Sequence, residues 1–292
     1  MSSRHFRIAP TPSGFLHQGN VANFILAAAL AEVYAGKMLV RIDDLDITRT
    51  KDAYLEQIFS VIDQLAIPVH KGPRSKEDLS QYWSQQLRIG IHQKMLDRLV
   101  ATGRVYACSC SRSQIRAQSA KGVYSGTCRN KNIPLTTPNV AWRLVVDQGT
   151  MVQLPELFQQ NQASVNLATA MGDFVVRKKD ASPAYQLASI ADDIHFGITD
   201  IVRGVDLLAS SAAQWYIGRV LGEADYLQSV RFYHHPLLVG ADGEKLAKSA
   251  GALAMAARNE FAIDLREVKK QVCDWVSNSA LNNQDSIILA LG

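Results

Sequence analysis

Hydrophobic residues near the N-terminus form two short runs separated by one long stretch, and this order predicts a parallel sheet. Residues 6–9 are a short apolar run, and the alanine-rich segment 21–34 has the length of a helix that Gly36 would end. Residues 37–42 are again mostly apolar, as in a strand that is buried on both faces. Strand, helix and strand at this spacing predict a right-handed βαβ unit and therefore an α/β fold.

The later hydrophobic pattern predicts further helices at 53–65, 82–102, 211–221 and 261–278, and further strands at 104–108, 142–146, 173–180 and 232–239. Residues 129–170 carry prolines and a Gln/Asn-rich run, which indicates loops on an inserted subdomain. We expect the parallel sheet to resume at Asp173. The predicted division is a first half of the catalytic domain (1–103), an insertion (104–172), a second half (173–250) and a short C-terminal helical segment (251–292).

Composition restricts the class of protein. The chain has 292 residues, of which 47% are hydrophobic and 20% charged, as in a globular protein with a sizeable core. The net charge of +4 permits nucleic-acid binding without requiring it. The first residues lack an apolar signal core, no apolar run is long enough to span a membrane, and the four cysteines do not resemble a secreted disulfide framework. We expect a cytoplasmic protein.

A turn rich in proline and glycine, RIAPTPSGFLHQGN at residues 7–20, joins the first strand to the first helix. Its prolines remove backbone donors and Gly14 adds freedom, so the chain turns sharply. His17, Gly19 and Asn20 lie where the helix begins. A helix N-terminus has unpaired N–H groups and a positive dipole end, which suit a phosphate group.

Three other places carry polar residues that could bind a ligand, although Arg203 and the two lysines, taken alone, are more often solvent-exposed or ion-pair residues. Asp43 follows the second strand, and the carboxyl ends of parallel strands face the ligand crevice. Arg203 ends a later strand, where its guanidinium could bind a carboxylate with two nitrogens. Lys245 and Lys248 follow a strand and a glycine turn, where they could neutralise charge on a leaving phosphate group.

Three cysteines, Cys108, Cys110 and Cys128, lie close together in the sequence. Three thiolates suit Zn²⁺, which is usually tetrahedral and requires a fourth ligand. The residues alone leave this ligand open among Tyr124, a water molecule and a distant side chain, and three free thiols are the alternative. Cys273 reads as a helical core residue.

These motifs together resemble the class I aminoacyl-tRNA synthetases. HQGN at 17–20 resembles their HIGH signature, KLAKS at 245–249 resembles their KMSKS loop, and RIAPTPSG resembles the glutamyl branch in particular. The resemblance implies a Rossmann-like nucleotide-binding fold with an inserted subdomain that binds tRNA. It also implies that ATP with Mg²⁺ is bound by His17, Gly19, Asn20, Lys245 and Lys248. The glutamate-binding residues that it implies are Arg7, Ile8, Ala9, Pro10, Thr11, Asp43, Tyr185 and Arg203.

The cysteine pattern, with Tyr124 four residues before Cys128, is similar to the zinc site of the glutamyl-Q tRNA(Asp) synthetase family, in which the tyrosine hydroxyl completes the shell. This resemblance implies activation of L-glutamate by ATP and its transfer to queuosine in tRNA(Asp), by a monomer with no membrane partner. The chain departs from the family pattern at Asp43, where the glutamyl enzymes have Glu, and at Ala247, where they have Ser.

Two alternatives remain at this level. One is a truncated glutamyl-tRNA synthetase that charges the terminal ribose, although no anticodon-binding domain is expected after residue 250. The other is a tRNA-binding paralogue without activity, in which Asp43 and Ala247 mark loss of the active site.

Overall fold

The computed structural model describes residues 3–119, 122–159, 163–238 and 264–292. The strands are β1 (His5–Ile8), β2 (Lys37–Val40), β3 (Val105–Cys108), β4 (Ala141–Leu144), β5 (Met151–Leu154), β6 (Ala163–Asn166), β7 (Val175–Arg177), β8 (Asp200–Gly204) and β9 (Arg231–His235). The α-helices are α1 (Gln18–Val33), α2 (Asp52–Gln64), α3 (Lys76–Asp78), α4 (Ile89–Ala101), α5 (Arg112–Gln118), α6 (Leu167–Ala170), α7 (Tyr185–Phe196), α8 (Leu208–Leu221), α9 (Ala224–Ser229), α10 (Leu265–Ser277) and α11 (Gln284–Leu291).

A parallel sheet with the strand order β2-β1-β8-β9 forms the centre of the molecule. The predicted βαβ unit is confirmed, because β1 pairs in parallel with β2 and α1 connects them. Arg7 pairs with Leu39 on one side and with Ile201 on the other. The carboxyl ends of all four strands therefore lie at one edge of the sheet, where α/β proteins bind their ligands.

Helices cover both faces of this sheet, as the mostly apolar strands predicted. On one face, Phe6, Ile8 and Met38 pack in a core with α1, α2, α10 and α11. On the other face, Leu39, Ile201 and Phe232 pack in a second core with α4, α7 and α8. Neighbouring residues of a strand point to opposite faces, so one apolar strand supplies both cores.

Residues 105–177 form an antiparallel sheet of order β3-β4-β7 and a hairpin of β5 and β6, so this second sheet extends beyond the predicted insertion at 104–172. The expectation that the parallel sheet resumes at Asp173 is wrong, because β7 pairs with β4 and not with a strand of the parallel sheet. An apolar strand pattern does not reveal which strand will be its neighbour. The hairpin and α6 lie in the stretch that was predicted as loops beyond a single strand.

The predicted helix at 82–102 is also wrong in its first part. The chain forms a π-helical turn at Leu79–Trp83 and a 3₁₀ turn at Gln85–Arg88 before α4 begins at Ile89. Ser84 breaks the helix with an extended backbone (ψ 141°). Its hydroxyl and the next amide N–H both donate to the carboxylate of Asp44, at 2.6 and 2.7 Å. A tertiary contact therefore overrides the local helical pattern.

The first helix begins three residues earlier than predicted, at Gln18, and ends at Val33. His17 is consequently its N-cap residue, and Gly19 and Asn20 lie in its first turn. Within the part of the chain that the structure describes, no helix combines the length and the hydropathy needed to span a membrane.

Candidate active site and metal centre

Three buried arginines meet at the carboxyl edge of the parallel sheet. Arg7 lies in β1, Arg41 directly follows β2, and Arg203 lies in β8, and each is less than 5% exposed. Asp43 follows Arg41 by two residues, and its amide N–H donates to the Pro10 carbonyl at 2.9 Å. The loops that leave β1 and β2 are thereby joined beside the arginines.

Aspartate carboxylates connect these arginines. Arg41 binds Asp43 with two nitrogens, Nε at 2.7 Å from Oδ1 and Nη2 at 3.3 Å from Oδ2. Oδ1 of Asp193, on α7, accepts hydrogen bonds from Nε of Arg7 at 3.1 Å and from Nη1 of Arg41. The hydroxyl of Ser189, one helical turn earlier, lies 3.3 Å from both Arg41 Nη2 and Arg203 Nη2.

The charges in this cluster stabilise one another. Burial alone would lower the pKa of Arg41, but the charges of Asp43, Asp193 and Asp192 raise it well above its ordinary value. Burial would raise the pKa of Asp193, but the charges of the arginines around it lower it. Asp192 Oδ2 also lies 3.9 Å from Arg41 Nε and pairs with Arg88. With these two residues counted, four guanidinium groups face the three carboxylates of Asp43, Asp192 and Asp193, and one positive charge is left over.

Two buried polar atoms of this cluster have no hydrogen-bond partner among the described residues, Nη2 of Arg7 and Oδ2 of Asp193. A buried polar group without a partner costs about 1–3 kcal/mol, and a charged one more. Because one atom is a cationic donor and the other an anionic acceptor, together they suit a ligand that carries an anionic and a cationic group.

Asp192 lies beside this cluster but is bound by a second set of residues. Its carboxylate accepts from Gln85 at 2.9 Å, from Arg88 at 3.0 and 3.1 Å, and lies 2.8 Å from Nε2 of His92. Burial opposes ionisation of Asp192, but the hydrogen bonds from His92 and Arg88 together with nearby charges hold its pKa well below the ordinary value. These contacts attach α4 and the turn before it to α7.

The predicted residues of the glycine-proline turn occupy different environments. The side chain of Ile8 is fully buried in the core, so only its backbone could contact a ligand, and its carbonyl accepts from the Arg41 amide at 3.0 Å. Thr11 is exposed, and its carbonyl accepts from Ser13 N at 2.8 Å. Ala9 is half-buried. These roles stay predictions.

The start of α1 carries the HQGN motif. His17 is exposed, and its amide N–H donates to Oδ1 of Asn20 at 3.0 Å, which fixes the first turn of the helix. Gly19 lies directly against the His17 ring, since a Cβ atom there would be 3.0 Å from it. Lys245 and Lys248 lie outside the described residues.

Tyr185 is the first residue of α7 and is 43% exposed. It lies close enough to Arg7 to act on the pKa of that guanidinium. Its contact with a ligand stays a prediction.

The predicted metal ligands converge in the insertion. The sulfur atoms of Cys108, Cys110 and Cys128 lie within 4.8 Å of one another, and those of Cys110 and Cys128 are 3.5 Å apart. The Tyr124 hydroxyl lies 3.3 Å from Cys108 Sγ and 3.9 Å from Cys110 Sγ. Tetrahedral zinc with Zn–S bonds of about 2.3 Å requires ligand atoms at about this separation. The three thiols therefore fit a zinc ion. The Tyr124 hydroxyl lies beside them and also accepts from the Cys128 amide at 2.7 Å, and its role as the fourth ligand stays a prediction.

Protonation in this group also fits a metal site. Burial raises the pKa of Cys128, but hydrogen bonds from Tyr124, from the Ser109 amide and from the other two thiols lower it to about 6. A metal ligand must be a thiolate, so this cysteine is ready to bind at neutral pH. Burial raises the pKa of Cys110 and of the Tyr124 hydroxyl, and both would lose their protons only to the metal.

Several residues of the site were not predicted. Arg41 and Asp193 hold the centre of the cluster, and Ser189 links it to Arg203. The sequence did contain a signal for two of them. Arg41 is a charged residue at the end of the predicted apolar strand 37–42, and Asp193 is one of two adjacent acids within the apolar pattern of α7. Nothing in the sequence pairs Asp192 with the residues of α4.

Comparison with known proteins assigns the class. A family model described as tRNA synthetases class I (E and Q), catalytic domain, matches residues 4–261. Curated relatives named glutamyl-Q tRNA(Asp) synthetase are similar over most of the chain. The protein from Chromobacterium violaceum is 37% identical over 89% of this chain and 83% of its own length. The protein from Acinetobacter baylyi is 34% identical over 95% of this chain and 96% of its own length.

The chain is thus a class I tRNA synthetase of the E and Q type, and a ligase-type enzyme. Within that class it belongs to the glutamyl-Q tRNA(Asp) synthetase family.

A solved structure supports the fold independently. The glutamate-tRNA synthetase from Elizabethkingia anophelis superposes with a TM-score of 0.73 at 21% identity. The match covers 98% of this chain and 65% of that synthetase. The predicted α/β class I synthetase fold is confirmed.

Proposed function

We propose that this enzyme activates L-glutamate with ATP and transfers it to the queuosine base of tRNA(Asp); the name glutamyl-Q tRNA(Asp) synthetase, which its relatives carry, supports this proposal. The observation that carries the first step is the cluster of Arg7, Arg41 and Arg203 with Asp43 and Asp193. Its surplus positive charge suits the net negative charge of glutamate. Its unpaired donor and acceptor, Nη2 of Arg7 and Oδ2 of Asp193, suit the carboxylate and the ammonium groups of an amino acid.

In the proposed assignment, Arg203 and Tyr185 bind the glutamate side chain, and Asp43 contributes to binding the amino group. The backbone of residues 8–11 lines the site. A carboxylate is already a nucleophile, so attack on the α-phosphorus of ATP needs no general base. The new bond joins the glutamate oxygen to phosphorus, and pyrophosphate leaves.

ATP would be held at the N-terminus of α1, where the His17 side chain and the backbone at Gly19 and Asn20 meet the helix dipole. Lys245 and Lys248 would neutralise the charge that develops on the leaving pyrophosphate, together with Mg²⁺. The two departures from the family pattern, Asp43 in place of Glu and Ala247 in place of Ser, leave the groups that this step requires. Position 43 still carries a carboxylate, and both lysines remain.

In the second step a hydroxyl of the modified base attacks the carbonyl of the glutamyl-adenylate, an ester forms, and AMP leaves. The insertion, with Zn²⁺ held by Cys108, Cys110, Tyr124 and Cys128, would position tRNA without taking part in the chemistry. The division of the chain at residues 103, 172 and 250, a cytoplasmic location and a monomeric state belong to the same proposal.

The first experiment is ATP–pyrophosphate exchange with glutamate, aspartate or glutamine in the absence of tRNA. We expect exchange with glutamate alone. No exchange with any of the three, from folded and zinc-loaded protein, would contradict tRNA-independent activation. It would leave either a tRNA-dependent synthetase or a binding protein.

The acceptor is tested with labelled glutamate and two anticodon stem-loop RNAs, one with queuosine and one with guanosine at the wobble position. We expect labelling of the queuosine RNA only. An isolated stem-loop has no acceptor end, so neither RNA can be labelled at the terminal ribose that a tRNA synthetase charges. Labelling of full-length tRNA that carries guanosine, at a base-labile ester on its 3′ end, would instead support charging of the terminal ribose.

A further inference from the structure

A buried row of hydrogen-bonded side chains leads from the insertion to the arginine cluster. Glu156 follows β5, and its carboxylate accepts from the His234 amide at 3.0 Å and from Nδ1 of the same imidazole. Nε2 of His234 lies 2.8 Å from the hydroxyl of Ser211, on α8. That hydroxyl accepts from Nη1 of Arg203 at 3.1 Å.

A guanidinium only donates, so the Ser211 hydroxyl accepts from Nη1 of Arg203. The single hydroxyl proton of Ser211 goes to Nε2 of His234 where that nitrogen is an acceptor, and to the Leu207 carbonyl where it is a donor. The lone pairs of the Ser211 oxygen remain for Arg203. The Leu207 carbonyl, at 3.3 Å, is farther from the Ser211 hydroxyl than Nε2 of His234 is.

The order Glu, His, Ser is also that of a hydrolytic triad, but the surroundings argue against a nucleophile. Ser211 and His234 are 0% and 1% exposed, so no substrate reaches the serine oxygen. The oxygen is also engaged by a guanidinium, and a nucleophilic serine needs its lone pairs directed at a substrate. The row ends on Arg203, and its effect must act through that residue.

We propose that Glu156, His234 and Ser211 are positioning residues that fix the guanidinium of Arg203 for the amino-acid substrate. This inference rests on the proposed function, in which Arg203 binds the glutamate side chain. A long arginine side chain has many rotamers, and a partner at each nitrogen removes that freedom before the substrate arrives. Ser211 holds Nη1 and Ser189 holds Nη2.

The first residue of this row belongs to the insertion, and the backbone explains how it reaches the sheet. Residues 155–157 run alongside β9: the Phe232 amide donates to the Pro155 carbonyl and the Leu157 amide to the Phe232 carbonyl, both at 2.9 Å. Glu156 pairs with Phe232 as an isolated parallel bridge. The segment is thus an edge extension of the parallel sheet, and it directs Glu156 at His234.

The test measures apparent KM values for glutamate and for ATP in pyrophosphate exchange. Ser211→Ala removes the acceptor for Arg203 Nη1, and we expect the KM for glutamate to rise about tenfold while the KM for ATP stays within twofold. Ser279→Ala is the matched control, because it removes another buried hydrogen-bonded hydroxyl, in the segment between α10 and α11. We expect it to change neither KM.

Two substitutions at His234 separate positioning from packing. In His234→Gln the amide group can occupy the place of Nε2 and still meet Ser211, whereas His234→Leu keeps the volume without any polar atom. We expect a KM for glutamate within threefold of wild type for Gln and about tenfold higher for Leu. Equal effects of Gln and Leu, or no rise in the KM with Ser211→Ala, would overturn the positioning role.

The wild-type protein distinguishes this failure from failure of the proposed function. If wild type shows glutamate-dependent exchange and the variants keep its KM, only the positioning role is wrong. If wild type shows no exchange with any amino acid, the proposed function fails and the row has no amino-acid site to support. Glu156→Gln, which keeps both shape and an acceptor, supplies a fourth variant of the row if Ser211→Ala does not fold.

Discussion

The guanidinium of Arg41 holds the carboxylate of Asp43 with two nitrogens, at 2.7 and 3.3 Å, although only one residue separates them in the chain. This pairing changes the interpretation of the Glu-to-Asp departure. The shorter side chain is not loose in the site, because a buried arginine fixes both of its oxygens. The remaining acceptor capacity of Asp43 is therefore presented to a ligand in one orientation.

Asp43→Asn is expected to raise the KM for glutamate at least about tenfold, because a hydrogen bond to a charged group is worth about 1.5–3 kcal/mol. The KM for ATP should stay the same. Pyrophosphate exchange measures both values, and Asp63→Asn, on the exposed side of α2, is the control. We expect Asp43→Glu to retain exchange and the preference for glutamate. An unchanged KM in Asp43→Asn would mean that Asp43 only supports Arg41.

Asp192 makes stability depend on pH. Its folded-state pKa is lowered below the ordinary value of about 3.9, so its full contribution to stability is present above that pH. The contribution falls below that pH because the unfolded chain binds a proton that the folded carboxylate does not, and it is lost as the pH falls through the folded-state pKa. Asp192→Asn leaves Arg88 and His92 with a weaker partner and is expected to lower the free energy of unfolding by about 3–5 kcal/mol at pH 7.

Urea unfolding at pH 7, 5, 4 and 3 measures this dependence. Wild type should lose stability steadily below about pH 4, and Asp192→Asn should lose less over the same range, because the titrating group is gone. Asp63→Asn should follow wild type. Parallel curves for wild type and Asp192→Asn would contradict the assigned pKa direction.

The sequence was sufficient for the central βαβ unit because a strand buried on both faces has an unmistakable apolar pattern. It also indicated the three cysteines, whose sulfur atoms do lie within 4.8 Å of one another. It was not sufficient for the turn at Ser84, where Asp44, forty residues away, overrides helical periodicity. The same limit applies to Asp193, whose role depends on two arginines from different strands. Contacts between distant elements leave no local pattern.

The three thiols of the insertion are expected to hold one zinc ion per chain. Cys110→Ser should abolish stoichiometric zinc after dialysis, because the aliphatic hydroxyl of serine ionises far less readily than a thiol and does not replace a thiolate ligand. Cys273→Ser, on α10 and away from the cluster, should keep it. Metal content by mass spectrometry measures both. Tyr124→Phe should weaken zinc binding in competition with a chelator, and an unchanged affinity would rule out its hydroxyl as the fourth ligand.

The backbone at Gly172 determines where Tyr124 lies. The two residues form a parallel bridge, Gly172 has a φ of +60°, and a Cβ atom there would be 2.4 Å from the Tyr124 carbonyl oxygen. Gly172→Ala is therefore expected to lower the free energy of unfolding for two reasons. An alanine in the left-handed conformation costs about 1–2 kcal/mol, and displacement of the chain at Tyr124 costs a further ~1–3 kcal/mol. Gly149→Ala is a matched control, since its φ is +74° but no atom lies within 4 Å of the new Cβ. We expect only Gly172→Ala to release zinc faster to a chelator. If both variants have the same unfolding midpoint and the same rate of zinc release, the contact between residue 172 and Tyr124 does not hold the metal site.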